Sequence, residues 1–357
     1  VGLLFAETSV ALSDPERIVE AFHEHFAEHI PMTRTGTGVR FEADYGNGTF
    51  SAEDGRFAVQ LNCADENVLT AVKSMVAEHL IEFSGQDTLA FLWKGHGAEV
   101  REIPNLFEMR VVRAFNVTPH MRRVVLTGAQ IGRLADGGMH VRLLIPPKDR
   151  PPVWPTLAAN GAIAWPKGDD AVACRIYTIR SLNEALAEIE IDFVLHDGDS
   201  MPGATWGAHA GPGDIAGIIG PGGGAVPEAD SYVLAGDETA LPVISRMVES
   251  LPAGKKVTVF AEVADAAERQ EIGSAANVEW RWLYRDGKAA GTAGLLEQAL
   301  RQHTWESESA DLHFFVGCEK QEARSIKALA THELKLPRAS IRTAGYWQLG
   351  ASADEEH

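Results

Sequence analysis

Ala173-Cys174-Arg175-Ile176-Tyr177-Thr178-Ile179 is a short β-branched and aromatic run. In an extended chain it places Arg175 and Tyr177 on one face and Thr178 on the other face or at a bend. Runs of the same kind surround it: Met109–Arg113, Arg122–Leu126, His140–Ile145, Glu188–Leu195 and Asp214–Ile219. They are punctuated by Pro and Gly, and no strong amphipathic helix competes with them. That many short strands between about Pro104 and Pro227 predict a small antiparallel barrel.

Beyond the barrel the rhythm changes. Tyr232–Ala235, Val257–Val263 and Leu312–Val316 read as strands, and Ala240–Ser250, Gly294–His303 and Lys320–Glu333 as helices. This alternation predicts a parallel, doubly wound α/β sheet over about residues 231–350. Ahead of the barrel, residues 1–97 read as a compact α+β module. Ser13-Asp14-Pro15-Glu16 reads as a capping box, with Pro in the first turn. Ile18, Phe22, Phe26 and Ile30 then form one helix stripe, and Val68, Val72, Val76 and Leu80 a second. Val39/Phe41/Ala43/Tyr45 and Phe57/Val59/Leu61 alternate as strands, with Gly46-Asn47-Gly48 and Asp54-Gly55 as turns. Leu89–Trp93 is expected as a closing strand and Lys94-Gly95-His96-Gly97 as a linker. The expected division is therefore 1–97, 104–227 and 231–350.

A chain of 357 residues is long enough for two or three cores, and 45% hydrophobic residues fit globular domains rather than disorder. No apolar run reaches the roughly 18 residues of a membrane span. Val1–Phe5 has neither a basic region nor a long apolar stretch, so no signal peptide is expected. The formal net charge of -18 repels nucleic acid and anionic membranes. An anionic ligand would need a local basic pocket. Cys63, Cys174 and Cys318 lie far apart, without zinc or iron–sulfur spacing. Free thiols fit a reducing, cytoplasmic setting.

A strand bearing Arg175, Tyr177 and Thr178 offers what a flavin dinucleotide needs: a cation for the pyrophosphate, an aromatic face for the ring and a hydroxyl near its reactive edge. Asp192-Phe193-Val194-Leu195-His196-Asp197-Gly198 follows, then Met201-Pro202-Gly203-Ala204-Thr205-Trp206. A Gly/Pro turn entering a helix aims backbone N–H groups at an anion. Gly211-Pro212-Gly213-Asp214 and Gly220-Pro221-Gly222-Gly223-Gly224 close the segment.

A barrel followed by a nucleotide-binding half is the plan of the ferredoxin–NADP reductase superfamily. These motifs, in this order, resemble the siderophore-interacting protein family of FAD-containing ferric-siderophore reductases. The resemblance continues through Gly236-Asp237-Glu238-Thr239-Ala240-Leu241-Pro242, Gly317-Cys318-Glu319 and Gly345-Tyr346-Trp347, and covers about residues 104–350. It assigns Arg175, Tyr177, Thr178, His196, Gly203, Ala204, Thr205 and Trp206 to FAD. It assigns Gly236, Asp237, Glu238, Thr239, Gly317 and Glu319 to NADH or NADPH, at strand ends where open α/β sheets bind ligands. Arg142 and Arg342 look like members of the family's basic pocket for the ferric siderophore. Gly222 stands where the family often has a third cation, and Gln348 where it often has Arg; both departures bear on the charge of the chelate. The first module is similar to a small domain of uncharacterised role.

The resemblance implies electron transfer from the nicotinamide nucleotide, through FAD, to chelated Fe(III), which leaves as Fe(II). It calls for no general acid–base pair, and ferredoxin is an alternative donor. Two other readings stand beside it: a ferric-chelate binding or trafficking protein without turnover, and a general flavin reductase with another acceptor. Glu262 would favour NADH by repelling a 2′-phosphate, whereas Arg269 and Arg285 would favour NADPH. Trp347 suits capping a ring or packing a core equally. His25 and His29 share a helix face at the spacing of metal ligands. With no third ligand in view, a polar face is the favoured reading, and no metal site is expected.

Overall fold

The structure, a computed structural model, describes residues 2–27, 30–86, 89–195, 201–305 and 311–351. Two compact units comprise residues 1–106 with 147–172, and residues 107–146 with 173–357.

The first unit opens with β1 (Leu4–Ala11), α1 (Pro15–Phe26), β2 (Met32–Thr35), β3 (Gly38–Ala43), β4 (Gly46–Glu53) and β5 (Arg56–Cys63). It continues with α2 (Glu66–Ser84) and the short β6 (Lys94–Gly95). The strands form one antiparallel sheet in the order β2-β3-β4-β5-β1-β6. Both helices cover one face, burying Ile18, Phe22, Leu69, Val76 and Leu80 against Phe41, Phe50, Phe57 and Val59. Asp14, not Ser13, caps α1, its carboxylate accepting from the Arg17 amide at 3.1 Å. Asp54-Gly55 makes the β4–β5 turn, but Gly46–Gly48 belongs to β4, and the preceding turn is Asp44-Tyr45. Leu89–Trp93 is no strand. Its Trp93 donates from Nε1 to Asn160 O at 2.9 Å. Lys94-Gly95, expected as linker, pairs with Glu7 and Ala6 at the sheet edge. β1 was not foreseen, because a polar residue, Thr8, occupies the centre of its buried face between Ala6 and Val10.

The second unit contains β7 (Leu106–Thr118), which begins at its boundary, then β8 (Met121–Gly128) and β9 (Gly138–Ile145). Residues 147–172, with β10 (Thr156–Leu157) and β11 (Ile163–Ala164), belong to the first unit. β12 (Ala173–Asn183), β13 (Glu188–Val194), α3 (Pro202–His209) and β14 (Ile215–Gly223) follow. The strands close into a six-stranded antiparallel barrel, β12-β13-β8-β7-β14-β9. Its interior holds Met109, Val124, Leu126, Val141, Leu143, Ile179, Ile191 and Phe193.

The chain then runs through β15 (Ser231–Gly236), α4 (Leu241–Ser250), β16 (Lys256–Val263), β17 (Asn277–Tyr284), α5 (Leu295–Gln302), β18 (Leu312–Glu319), α6 (Lys320–Ala328) and β19 (Ile341–Trp347). Their parallel sheet has the order β17-β16-β15-β18-β19. Successive β15 residues alternate between two cores: Leu234 packs with α4, and Val233 and Ala235 with α5 and α6. β17 and β19 were not expected as strands. Only a single 3-10 turn, Ala266–Glu268, separates β17 from β16 within that stretch, so no helix marks the crossover.

Candidate functional site

The site begins with the register of β9 and β12. Arg175 lies opposite Leu143, Ile176 opposite Arg142, Tyr177 opposite Val141 and Thr178 opposite His140. Opposed residues share a face, and Val141 and Leu143 point into the barrel. Arg175 and Tyr177 therefore share the inner side, at the barrel's rim, while Ile176, Arg142, Thr178 and His140 share the outer one. Thr178 is buried there, whereas Ile176 is 70% exposed.

Tyr177 is held from two sides. Its ring lies 4.5 Å from that of Phe193, which lies 5.5 Å from Trp206. A Cβ on Gly203 would come 2.3 Å from the Tyr177 hydroxyl, and one on Gly207 would come 2.4 Å from Phe193 Cγ. The two glycines, one helical turn apart, let α3 lie directly on the aromatic pair. Pro202 occupies the first turn and no side chain caps the helix. The Thr205 amide donates to Met201 O at 2.9 Å, while the Gly203 and Ala204 amides have no carbonyl within the helix to meet. Arg175 donates from Nη1 to Cys174 O at 2.7 Å. His196 lies outside the described residues. Cation, phenol, buried hydroxyl and glycine-lined helix start thus occur together. This donor set fits a flavin dinucleotide.

The second half of the site is the carboxyl edge of the parallel sheet, where Gly236 and Gly317 are register partners. A Cβ on Gly236 would come 2.7 Å from Gly317 O. At the end of β18 the start of α6 is capped by the chain's own carboxylate, whereas Asp237 closes the turn before α4, whose start no side chain caps. Asp237 accepts from the Thr239 amide at 2.9 Å and the Thr239 hydroxyl at 2.5 Å, and from Trp347 Nε1 at 2.7 Å. Glu319 accepts from the Gln321 and Glu322 amides at 2.6 and 3.0 Å. The hydroxyl of Thr239, which the resemblance assigns to the nicotinamide nucleotide, is thus engaged by Asp237. Trp347 is anchored by the same carboxylate.

Arg285 is locked beneath this edge. It donates to Glu238 at 2.9 Å and to Glu262 at 3.5 Å, and all three side chains are buried. Arg269 is exposed, with its guanidinium 6.0 Å from the Trp282 ring centre. Burial raises the carboxyls of Asp237 and Glu262 above their usual range. Burial first, then the charges of Glu262 and Asp237, push Glu322 up to about 7.

Arg142 stands on the outer face of the barrel, two residues from His140. His140 Nε2 lies 3.0 Å from the hydroxyl of Tyr346, near the carboxyl end of β19. Arg342 is not brought to that end. It pairs in register with Phe315, about 16 Å along the strand from Trp347. Its charge acts on His313, whose imidazole is lowered to about 4 chiefly by burial. In the first unit, His25 lies 4.7 Å from His79 of α2, ring to ring, and His29 lies outside the described residues. No cluster able to hold a metal occurs among the described residues. Cys63, Cys174 and Cys318 are free.

Comparison with known proteins joins these halves. Residues 110–225 match the siderophore-interacting FAD-binding domain and residues 229–350 the siderophore-interacting protein model. The ferric vibriobactin reductase ViuB of Vibrio cholerae is 30% identical over 261 residues, covering 72% of this chain and 94% of that protein. The chain belongs to the siderophore-interacting protein family.

Among other members, the ferric acinetobactin reductase of Acinetobacter baumannii is 27% identical, covering 58% of this chain and 72% of that protein. A siderophore utilization protein from T. fusca superposes with a TM-score of 0.59 at 36% identity, covering 71% of this chain and 97% of that one. The siderophore-interacting protein SipS from Aeromonas hydrophila gives 0.58 at 27% identity, covering 70% and 94%. Residues 7–94 match a family described as an uncharacterized protein conserved in bacteria. The sequence reading gave no role to His140. His140 had a signal, since alternation from Arg142 puts it on the same outer face.

Proposed function

We propose that this family member is a ferric-siderophore reductase: an oxidoreductase that takes electrons from a nicotinamide nucleotide and delivers them, through FAD, to chelated Fe(III). The observation that carries the reading is Tyr177, held between Phe193 and the glycine-lined start of α3, on a strand that also presents Arg175 and Thr178. Arg175 and the first amides of α3 would hold the pyrophosphate, Tyr177 would support the ring and Thr178 would face its reactive edge. Bound FAD supplies the conversion of one hydride donation into two one-electron reductions of Fe(III). The exposed Ile176 and neighbouring Arg142 give the chelate an apolar and cationic approach on the barrel's outer face. With Gly222 and Gln348 adding no charge and Arg342 displaced along its strand, a weakly anionic or neutral chelate suits this approach better than a highly charged one.

For the donor we propose NADH over NADPH. Glu319 caps the start of α6 and Asp237 engages the Thr239 amide and hydroxyl, groups that would otherwise meet phosphates, and Arg285 is already engaged by Glu238 and Glu262. A 2′-phosphate adds up to two charges to a ligand that must approach this acidic edge. Anaerobic stopped-flow of the FAD-loaded protein tests the whole reading. NADH should bleach the flavin faster than NADPH at equal concentration, and ferric siderophore should restore the colour with saturation. Chelate binding without bleaching by either nucleotide or by reduced ferredoxin would identify a carrier instead. Equal reoxidation by simple dyes, without saturation by chelate, would identify a general flavin reductase.

A further inference from the structure

Arg246 on α4 is a half-buried cation without an ion-pair partner among the described residues. Its Nη1 donates to a neutral group, Ile179 O on β12, at 3.0 Å. The nearby carboxylate, Glu249, is taken by Arg180 through two contacts of 2.7 Å. Arg246 is thereby fixed to the carbonyl of the residue after Thr178, the buried hydroxyl opposite His140. His140 Nε2 in turn lies 3.0 Å from the hydroxyl of Tyr346, whose proton burial holds more tightly. Burial first, and the charge of Arg246 second, lower the imidazole of His140, so it is neutral near pH 7. Burial and the neighbouring Arg180 likewise disfavour the charge on Arg246 itself. A desolvated guanidinium among neutral partners is costly unless a negative charge arrives to face it. Such groups occur at functional sites for that reason.

We propose that Arg246 stabilises the negative charge that the flavin gains on reduction, and so sets its midpoint potential. The inference rests on the reading of the Thr178 strand as the flavin site. Arg246 acts from the sheet half of the unit on a cofactor held by the barrel half, which makes the potential depend on how α4 seats on β12.

Redox-dye titration of the FAD-loaded protein reads the effect directly. R246Q keeps a donor for Ile179 O but loses the charge. Its preference for reduced over oxidised flavin should fall about tenfold, roughly 30 mV for a two-electron couple. R246K, which keeps charge and donor, should stay within about threefold of the parent. In separate half-reactions R246Q should be reduced more slowly by NADH and reoxidised faster by ferric chelate, a split that loss of packing does not produce. An unchanged potential in R246Q, or an equal fall in R246K, overturns the proposal. If R246Q does not hold FAD, E249Q decides: it frees the Arg180 charge beside Arg246 and should raise the potential, and no rise refutes the idea. If the parent protein itself binds no FAD, the flavin reading fails first, and that is seen before any variant is made.

Discussion

The contact between α3 and Tyr177 predicts an unusual split between fold and cofactor in Gly203→Ala. The added methyl would sit 2.3 Å from the Tyr177 hydroxyl and 3.2 Å from the ring atoms Cε2 and Cζ. Ordinary contacts begin near 3.5 Å, so the hydroxyl must move by about 1 Å. Overpacking of this kind costs about 1–3 kcal/mol where neighbours cannot yield. Tyr177 is only half-buried, so without cofactor its outer edge can swing and the melting temperature should hardly change. With FAD against the ring that freedom is lost, and the cost falls on binding. At 1.4 kcal/mol per tenfold, FAD should bind about 10- to 100-fold more weakly. Removing the hydroxyl relieves the closest contact, so the double variant Y177F/G203A should recover most of the loss. Flavin-fluorescence titration of the apoprotein measures each corner of the cycle. Parental affinity in G203A, or a double variant at least as weak as the sum of the singles, would refute the reasoning.

Other perturbations probe the acidic edge and the first unit. Glu238→Gln takes a charged partner from Arg285, so the kcat/KM ratio of NADH to NADPH should fall about tenfold, near 1.4 kcal/mol; an unchanged ratio would show that Arg285 does not govern the choice. Glu322 has an ordinary value of 4.5 and a folded value of about 7. The native state therefore binds more protons than the unfolded one between those values, and stability falls as pH rises through that window. Glu322→Gln should raise the melting temperature at pH 8 and leave it nearly unchanged at pH 5, as thermal melts at both pH values would show. Asn160 donates to Leu89 O at 2.9 Å and accepts from the Ala162 amide at 3.1 Å. Asn160→Ala should cost about 1–2 kcal/mol in urea denaturation of the first unit; a smaller loss would mean that water replaces both bonds.

The barrel and the alternating sheet were legible because their strands carry the periodicities that burial imposes. Met109–Arg113 and His140–Ile145 show apolar residues at the spacing the barrel interior requires. β1 was not legible, since its buried centre is Thr8, which donates to Leu92 O at 2.9 Å; a satisfied hydroxyl buries as well as a methyl but leaves no hydrophobic signal. Gly46–Gly48 misled for the opposite reason. Glycines that signal turns also occur where strands approach closely, and Gly48 lies against the Phe41 ring. Leu89–Trp93 has the composition of a strand but buries its aromatics without a sheet neighbour.

The site residues divide along the same line. Arg175, Tyr177, Thr178 and Gly203 could be read because a strand and a following helix start are local patterns. The roles of charged groups could not, because each depends on a partner distant in sequence. Arg246 meets Ile179 across 67 residues, Arg285 meets Glu238 across 47, and His140 meets Tyr346 across 206. Asp237 and Glu319 follow strand ends as phosphate-binding segments do, yet Glu319 turns back to cap α6 and Asp237 to engage Thr239. That turn changes the sign of the site. The Thr239, Gln321 and Glu322 amides, which could attract a phosphate, meet carboxylates instead. A chain of net charge -18 thus sets carboxylates along this edge and places Arg246, a half-buried cation without an ion-pair partner among the described residues, beside the strand that carries Thr178. On the proposed reading, donor choice and flavin potential answer to different residues, so Glu238→Gln should shift the first without the second and Arg246→Gln the second without the first.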